Sequence, residues 1–360
     1  MITYKPLSNA VRSRNMEAAK KAAREYPDAV HHWKPLMDAA YTAQPDMVRF
    51  LLDQGSDINA VSGDAYRHTP LIRVIEPRAT VPRTPAHLET IRLLVERGAD
   101  PDIKGGQHRL TALGNAAVGG FVSYVDLLLD NGAQTDIHID AMLYNKPRLV
   151  EWVRDNSPDI LDTEGRTLLH YLALSGMWRS KGSALALECA GILLDADAVI
   201  DHAEPMRDNG EGFQATALWR AVGWQHHHQL VGFLLSRGAN PDYAIFAATF
   251  DGDEEMLDLL YAAGVNVNNK VEGRAPLADL MYYKRPANVH WLLEHGAMVN
   301  DRDRSGMTAL HYAALQGIRE NVIQDLLNHG ARKHLKDKMG NTPLDLARQK
   351  NRKKAIILLS

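Results

Sequence analysis

The hydrophobic positions of this 360-residue chain come in short clusters that recur along its length. Each cluster opens on Thr-x-Leu: Thr69-Pro70-Leu71, Thr111-Ala112-Leu113, Thr167-Leu168-Leu169, Thr216-Ala217-Leu218, Thr308-Ala309-Leu310 and Thr342-Pro343-Leu344, with Ala275-Pro276-Leu277 a near match. Small residues such as Ala116-Ala117 and Ala313-Ala314 follow one turn later. The pattern predicts a short helix whose threonine hydroxyl accepts a hydrogen bond from a first-turn amide. A proline directly after that threonine occupies a position where no helical amide bond is lost.

A second apolar stretch follows and ends in paired leucines, as at Leu51-Leu52, Leu93-Leu94, Leu193-Leu194, Leu234-Leu235, Leu259-Leu260, Leu292-Leu293 and Leu326-Leu327. Glycine comes shortly after at Gly55, Gly98, Gly132, Gly238, Gly264, Gly296 and Gly330, where a left-handed helix end favours it. Polar turn formers such as Asp57-Ile58-Asn59 and Asn240-Pro241-Asp242 then lead to the next cluster. The two fullest copies begin at Gly306 and Gly340, about 34 residues apart, the spacing of a stacked helical unit.

Helix, tight turn, helix, Gly-Ala and polar finger together resemble the ankyrin repeat, over nearly the whole chain. The resemblance implies an all-α ankyrin-repeat solenoid of helix-turn-helix units with short hairpin-like fingers, about ten units including caps. It reads as a single domain, 1–360, with an N-terminal capping unit at 1–30, internal repeats at 31–336 and a C-terminal cap at 337–360. Residues 303–336 and 337–360 fit best. The units near 138–161 and 243–269 depart from the pattern. Insertions near 76–87, 175–186 and 202–213 break the period, and each lies in a finger or between helices. Trp178, on the second insertion, would be costly to leave exposed.

Charge and cysteine content narrow the setting. The single cysteine, Cys189, excludes an intramolecular disulfide and fits a reducing compartment. The first residues lack the apolar core of a signal peptide, and no stretch approaches membrane-spanning length, so a cytoplasmic protein without membrane association is expected. Net charge is −3, yet residues 331–360 carry nine Lys/Arg against two Asp, and residues 1–30 carry six against three. The centre therefore stands near −13. That field points to a basic protein partner and away from nucleic acid. The basic C-terminal end reads as the solvated face of a cap.

Candidate chemistry is sparse. Adjacent residues on a helix point in different directions, so His226-His227-His228 cannot all ligate one ion and reads as a surface cluster. Asp251-Gly-Asp-Glu-Glu-Met-Leu-Asp258 lacks a calcium-loop register and reads as a charged helix N-terminus. Cys189, in an apolar helical run, reads as a small buried hydrophobe. His170 and His311 close the Thr-x-Leu-His phrase and are expected to be structural hydrogen-bonding groups. No enzyme, cofactor or metal is expected.

The ankyrin resemblance implies a partner-binding surface made of finger tips and the ends of first helices. Carried across residue by residue, it places Glu272, Arg274, Tyr282, Tyr283, Arg304, Met307 and Gln316 there. Phe213 and Trp224 come from the units before, and Trp33, Tyr41, Tyr66 and His68 from the N-terminal side. Tyr282 and Tyr283 are adjacent on a helix, so both cannot face the core. Binding hot spots are enriched in Trp, Tyr and Arg. The expected function is a non-enzymatic module that binds one protein partner and is itself a monomer. The likeness to stand-alone bacterial ankyrin proteins implies a toxin-neutralising (immunity) role, with an effector delivered to a host cell as the alternative. A histidine-based metal enzyme and a nucleic-acid binder are the remaining classes weighed.

Overall fold

Five of the six threonines predicted to cap first helices do so, whereas the Thr167 hydroxyl meets His170 Nδ1 at 2.8 Å. In the computed structural model, which describes residues 3–76, 83–205, 214–250 and 253–360, the Thr69, Thr111 and Thr216 hydroxyls each accept from an amide three residues on at 3.2 Å. Thr308 and Thr342 do the same and also meet a side chain that reaches back to the cap amide, His311 Nδ1 at 3.1 Å and Asp345 Oδ2 at 2.9 Å. Two amides of the first turn are thereby satisfied at each of these ends.

The chain forms two units, each a run of stacked helix pairs, the all-α solenoid architecture expected. The first comprises Met1–Asn156 with Ser175–Ile192. Its pairs are Lys5–Arg12 and Met16–Glu25, Trp33–Tyr41 and Pro45–Asp53, Pro70–Ile75 and Pro85–Glu96, Ala112–Gly119 and Val122–Asp130, then Ile137–Met142 and Lys146–Asp155. The degenerate segment near 138–161 thus still forms a pair, because Asp136 stands in for threonine and accepts from the Ile139 amide at 2.9 Å. Residues 175–181 are seated rather than projecting. The Ser175 hydroxyl donates to the Met142 carbonyl at 2.6 Å, and Lys181 to that of Leu143 at 2.8 Å. Trp178 begins a helical turn, Trp178–Lys181, half-buried with the Arg179 guanidinium over its ring.

The second unit comprises Ser157–Leu174 with Leu193–Ser360. After the helix Leu168–Leu174 come Ala217–Arg220 and His228–Ser236, Ile245–Phe250 and Glu254–Ala262, Pro276–Tyr282 and Val289–Glu294, Ala309–Gln316 and Glu320–Asn328, then Pro343–Gln349 and Lys353–Leu359. One departure from the expected unit is the π-helical turn Ala221–Gln225, which ends on His226 in the left-handed region. The histidine run is divided by that turn. His226 terminates it, His227 is buried, and His228 opens the next helix with Nε2 3.0 Å from Asp253. His227 is therefore not the surface residue expected.

One leucine of each pair is sealed in the core: Leu51, Leu94, Leu193, Leu234, Leu260, Leu292 and Leu326. Alanines 313 and 314 are buried where first helices pack on one another, and a larger side chain there would hold the backbones apart. Gly330, with φ 87°, ends its helix in the left-handed form and lets the Ala331 amide return to the Leu326 carbonyl at 2.9 Å. β pairing among the described residues is limited to isolated bridges, Gly105 with Leu110, Glu204 with Ala215 and Val271 with Arg274. These are the short fingers. Residues 77–82 and 206–213, where most of the first and third insertions fall, and 251–252 lie outside the described residues.

Candidate functional site

The fingers of the second unit are shaped by a carboxylate. Asp303 Oδ1 accepts the amides of Ser305 and Met307 at 2.8 and 2.9 Å, and Gly306 completes the turn at φ 76°. Asp162 and Asp337 do the same for their fingers. The free oxygen of this aspartate then fastens the finger to the following helix. Tyr171 donates to Asp162 Oδ2 at 2.7 Å, and Tyr312 donates to Asp303 Oδ2. Burial and the neighbouring carboxylate both push the Tyr312 hydroxyl above its ordinary pKa.

The less regular copies keep this fastening with different chemistry. Arg220, at the position of Tyr312 in its copy, pairs with Glu204. Its burial, with Arg166 nearby, lowers the guanidinium to about 9. Two copies further on the charges are reversed. Asp279 takes the tyrosine position and receives Arg274 Nε at 2.8 Å, while Glu272 holds the other end of Arg274 at 3.2 Å. Burial raises the Asp279 carboxyl above its ordinary value in spite of that pairing.

Arg274, so held, lies over Tyr282, its guanidinium 4.2 Å from the ring centre. Tyr282 is the last residue of Pro276–Tyr282, and Tyr283 follows it before the left-handed Lys284. The two rings stand perpendicular, 4.8 Å apart. Tyr282 also meets Tyr312 edge-on at 5.5 Å, and Tyr283 meets Phe250 at 5.5 Å. Each tyrosine is braced on two sides yet remains 40% and 51% exposed. Gln316 Nε2 donates to the Tyr282 carbonyl at 3.3 Å. Beside Tyr283 opens a cleft of about 160 Å³ lined by Phe246, Phe250, Val271, Glu272, Arg274 and Asp279.

Residues 244–337 and 303–360 match the family model for ankyrin repeats in three copies, and residues 31–63 match the model for a single ankyrin repeat. These matches, over residues 31–63 and 244–360, support an ankyrin-repeat protein. Every residue of the aromatic surface just described lies inside the first match. Ankyrin repeats are interaction domains, generally without catalytic activity, and this chain is a protein–protein interaction module.

Of the residues expected on the ankyrin surface, the fold brings Glu272, Arg274, Tyr282 and Tyr283 together, with Gln316 hydrogen-bonded at their edge. Arg304 is exposed on the neighbouring finger, packed so closely on Gly273 that an added Cβ there would come within 2.7 Å of its Cγ. Met307 is half-buried at the base of the same finger. Trp224 is half-buried on the π-helical turn, and Phe213 lies outside the described residues.

In the first unit, Trp33 is half-buried against His32 and Gly63, and Tyr41 is half-buried under the Arg73 guanidinium at 4.4 Å. Tyr66 is half exposed. His68 is a correction: it is buried, and its Nε2 donates to the Glu76 carboxylate at 2.7 Å, so the ring braces the interior and offers nothing to a partner. Burial alone would raise the Glu76 carboxyl, but the hydrogen bond and charge of His68 hold it below its ordinary value.

The remaining polar candidates are structural. His170 takes the Thr167 amide on Nδ1 at 3.3 Å and gives Nε2–H to the Ala215 carbonyl at 3.0 Å, and burial lowers it to about 3. His311 repeats the arrangement between Thr308 and Asn341. Asp253 caps Glu254–Ala262 by accepting from Met256 at 3.0 Å. Cys189 is buried, and burial pushes its thiol up to about 11. Among the described residues no cluster of three or more His, Cys, Asp or Glu is placed to hold a metal ion. No described helix is long and apolar enough to cross a membrane.

Asp279 and Tyr312, which build the platform beneath the tyrosines, were not expected from the sequence, and Asp303, expected on the finger surface, instead turns one oxygen to Tyr312. The signal was present, since Asp-x-x-Gly-x-Thr recurs at 162–167, 303–308 and 337–342.

Proposed function

We propose that this chain binds one protein partner through the first-helix ends and fingers of its second unit, with Tyr282 and Tyr283 at the centre of contact. The observation carrying this reading is a pair of adjacent tyrosines, 40% and 51% exposed, whose rings are fixed by Arg274, Tyr312 and Phe250. Large side chains already fixed in place lose little entropy on binding. Tyrosine and arginine are also the residues that most often dominate binding energy.

The acidic centre of the sequence supports a basic partner, because a field of opposite sign speeds encounter. Within this class we read the protein as a monomeric, cytoplasmic neutraliser of a toxin. The likeness to stand-alone bacterial ankyrin proteins and the single buried cysteine support that reading. Affinity capture from the native cell, by wild type and by Tyr282→Ala/Tyr283→Ala side by side, tests the surface. Wild type should retain one protein in equal amount, and the variant should lose it with an unchanged melt. Retention of the same protein by the variant would remove the tyrosines from the interface. Abolition of that protein's toxicity on co-expression tests the neutralising role separately.

A further inference from the structure

A second surface of different chemistry lies at the inter-helix turns of the last two repeats. The turn after Ala309–Gln316 and the turn after Pro343–Gln349 face each other across an open cleft of about 810 Å³. Its floor holds the buried Ile318 and Ala355, and its walls carry Arg319, Arg352, Lys353 and Lys354. Glu320 is the single carboxylate lining it and is occupied by Lys354 at 2.6 Å.

Arg352 is fixed, with Nε donating to the Leu315 carbonyl at 3.3 Å and its stem packed on Gly317. Arg319 and Lys353 are exposed, and among the described residues neither has a carboxylate within ion-pairing distance. The cleft shares no lining residue with the aromatic surface around Tyr283. A neighbouring cleft of about 440 Å³ shares Asn321 with it and continues along the turns past Val289 and His290.

We propose that this cleft takes an acidic segment of a protein. Carboxylates pair with Arg319, Arg352 and Lys353, and an apolar side chain covers Ile318 and Ala355. Charge sets the sign of the ligand: three cations remain after the Lys354–Glu320 pair is formed. The lining sets its class. Single-stranded nucleic acid is held by aromatic side chains on which bases stack, and this cleft offers an aliphatic floor with a carboxylate at its edge. A chain with net charge −3 and a strongly acidic centre also repels an extended polyanion beyond the cleft itself.

The test is fluorescence anisotropy with two labelled probes of equal charge, a peptide of alternating glutamate and leucine and a single-stranded oligonucleotide. The peptide should bind the full-length protein, weaken as salt is raised, and lose about tenfold in affinity, equivalent to about 1.4 kcal/mol, in Arg319→Glu/Lys353→Glu. Tyr282→Ala/Tyr283→Ala should leave that affinity unchanged, which separates this site from the aromatic surface. Both cations are exposed, so the charge-reversed protein should melt as wild type does. The proposal is overturned by absence of peptide binding to wild type or by an unchanged affinity in the charge-reversed variant. Tighter binding of the oligonucleotide, lost in that variant, would overturn it in favour of a nucleic-acid site.

Discussion

Arg274 donates to the buried Asp279 at 2.8 Å and, held there, lays its guanidinium 4.2 Å from the ring centre of Tyr282. An ion pair inside the repeat thus becomes part of the outer surface. Removing Asp279 leaves the Arg274 charge with only the more exposed Glu272 to meet it, whereas replacing both members of the pair with apolar residues leaves no buried charge. Asp279→Ala should therefore cost about 2 kcal/mol of unfolding free energy, measured by urea titration. Arg274→Met/Asp279→Leu should recover most of that stability yet still weaken partner binding, because Tyr282 has lost the cation held over its ring.

The fastening between Tyr312 and Asp303 makes a local prediction. Tyr312→Phe keeps the buried ring and removes only the hydroxyl that holds Asp303 Oδ2. The loss should be about 1 kcal/mol. It should appear as faster hydrogen exchange at the Ser305 and Met307 amides, which rely on the same carboxylate. Exchange unchanged at these amides would mean that the finger holds its shape without the tyrosine.

His170 gives the fold a pH dependence whose sign is fixed. Its folded pKa is lowered from 6.5 to about 3 by burial, so the folded state favours the neutral ring. Its contribution is complete above about pH 6.5 and declines as the pH falls towards 3, because the unfolded chain then binds a proton that the folded chain refuses. The slope from this one group is at most about 1.4 kcal/mol per pH unit. Urea titrations at pH 7, 5 and 4 should show wild type losing more stability than His170→Gln, which is less stable at pH 7 and flatter below it. Parallel losses in the two proteins would contradict the assignment.

Thr308 caps its helix through the His311 amide and also meets His311 Nδ1. Thr308→Ala should lower the stability of the C-terminal repeats by about 1 kcal/mol, and Thr308→Ser should restore most of it. Differential scanning calorimetry of the three proteins would read the difference directly.

How much of this was legible in the sequence depended on the kind of force. The Thr-x-Leu caps, the sealed leucine of each pair and the left-handed Gly330 follow from local rules that a period exposes. Helix geometry required that Tyr282 and Tyr283 not both face the core, and the repeat resemblance placed them at the surface. Polar partners were harder to see, because a period says which face turns inward but not what a polar group will meet there. His68 carried the residue type of a surface contact, and Glu76, eight positions on, drew it inside. Where Tyr312 meets Asp303, another copy places Arg220 against Glu204 and a third Asp279 against Arg274. One mechanical task is done by three chemistries, so no single letter recurs to mark it. The π-helical turn at Ala221–Gln225 has no periodic signature of its own.

We propose that a protein partner sits on the tyrosine pair. Site-specific photo-crosslinking in the native cell tests it most directly, with the crosslinking residue placed at Tyr283 or, for comparison, at Tyr261. Tyr261 is equally accessible, 47% exposed, but lies on the second helix Glu254–Ala262. A single protein should be crosslinked from position 283 and none from position 261. A partner captured from 261 and not from 283 would contradict it.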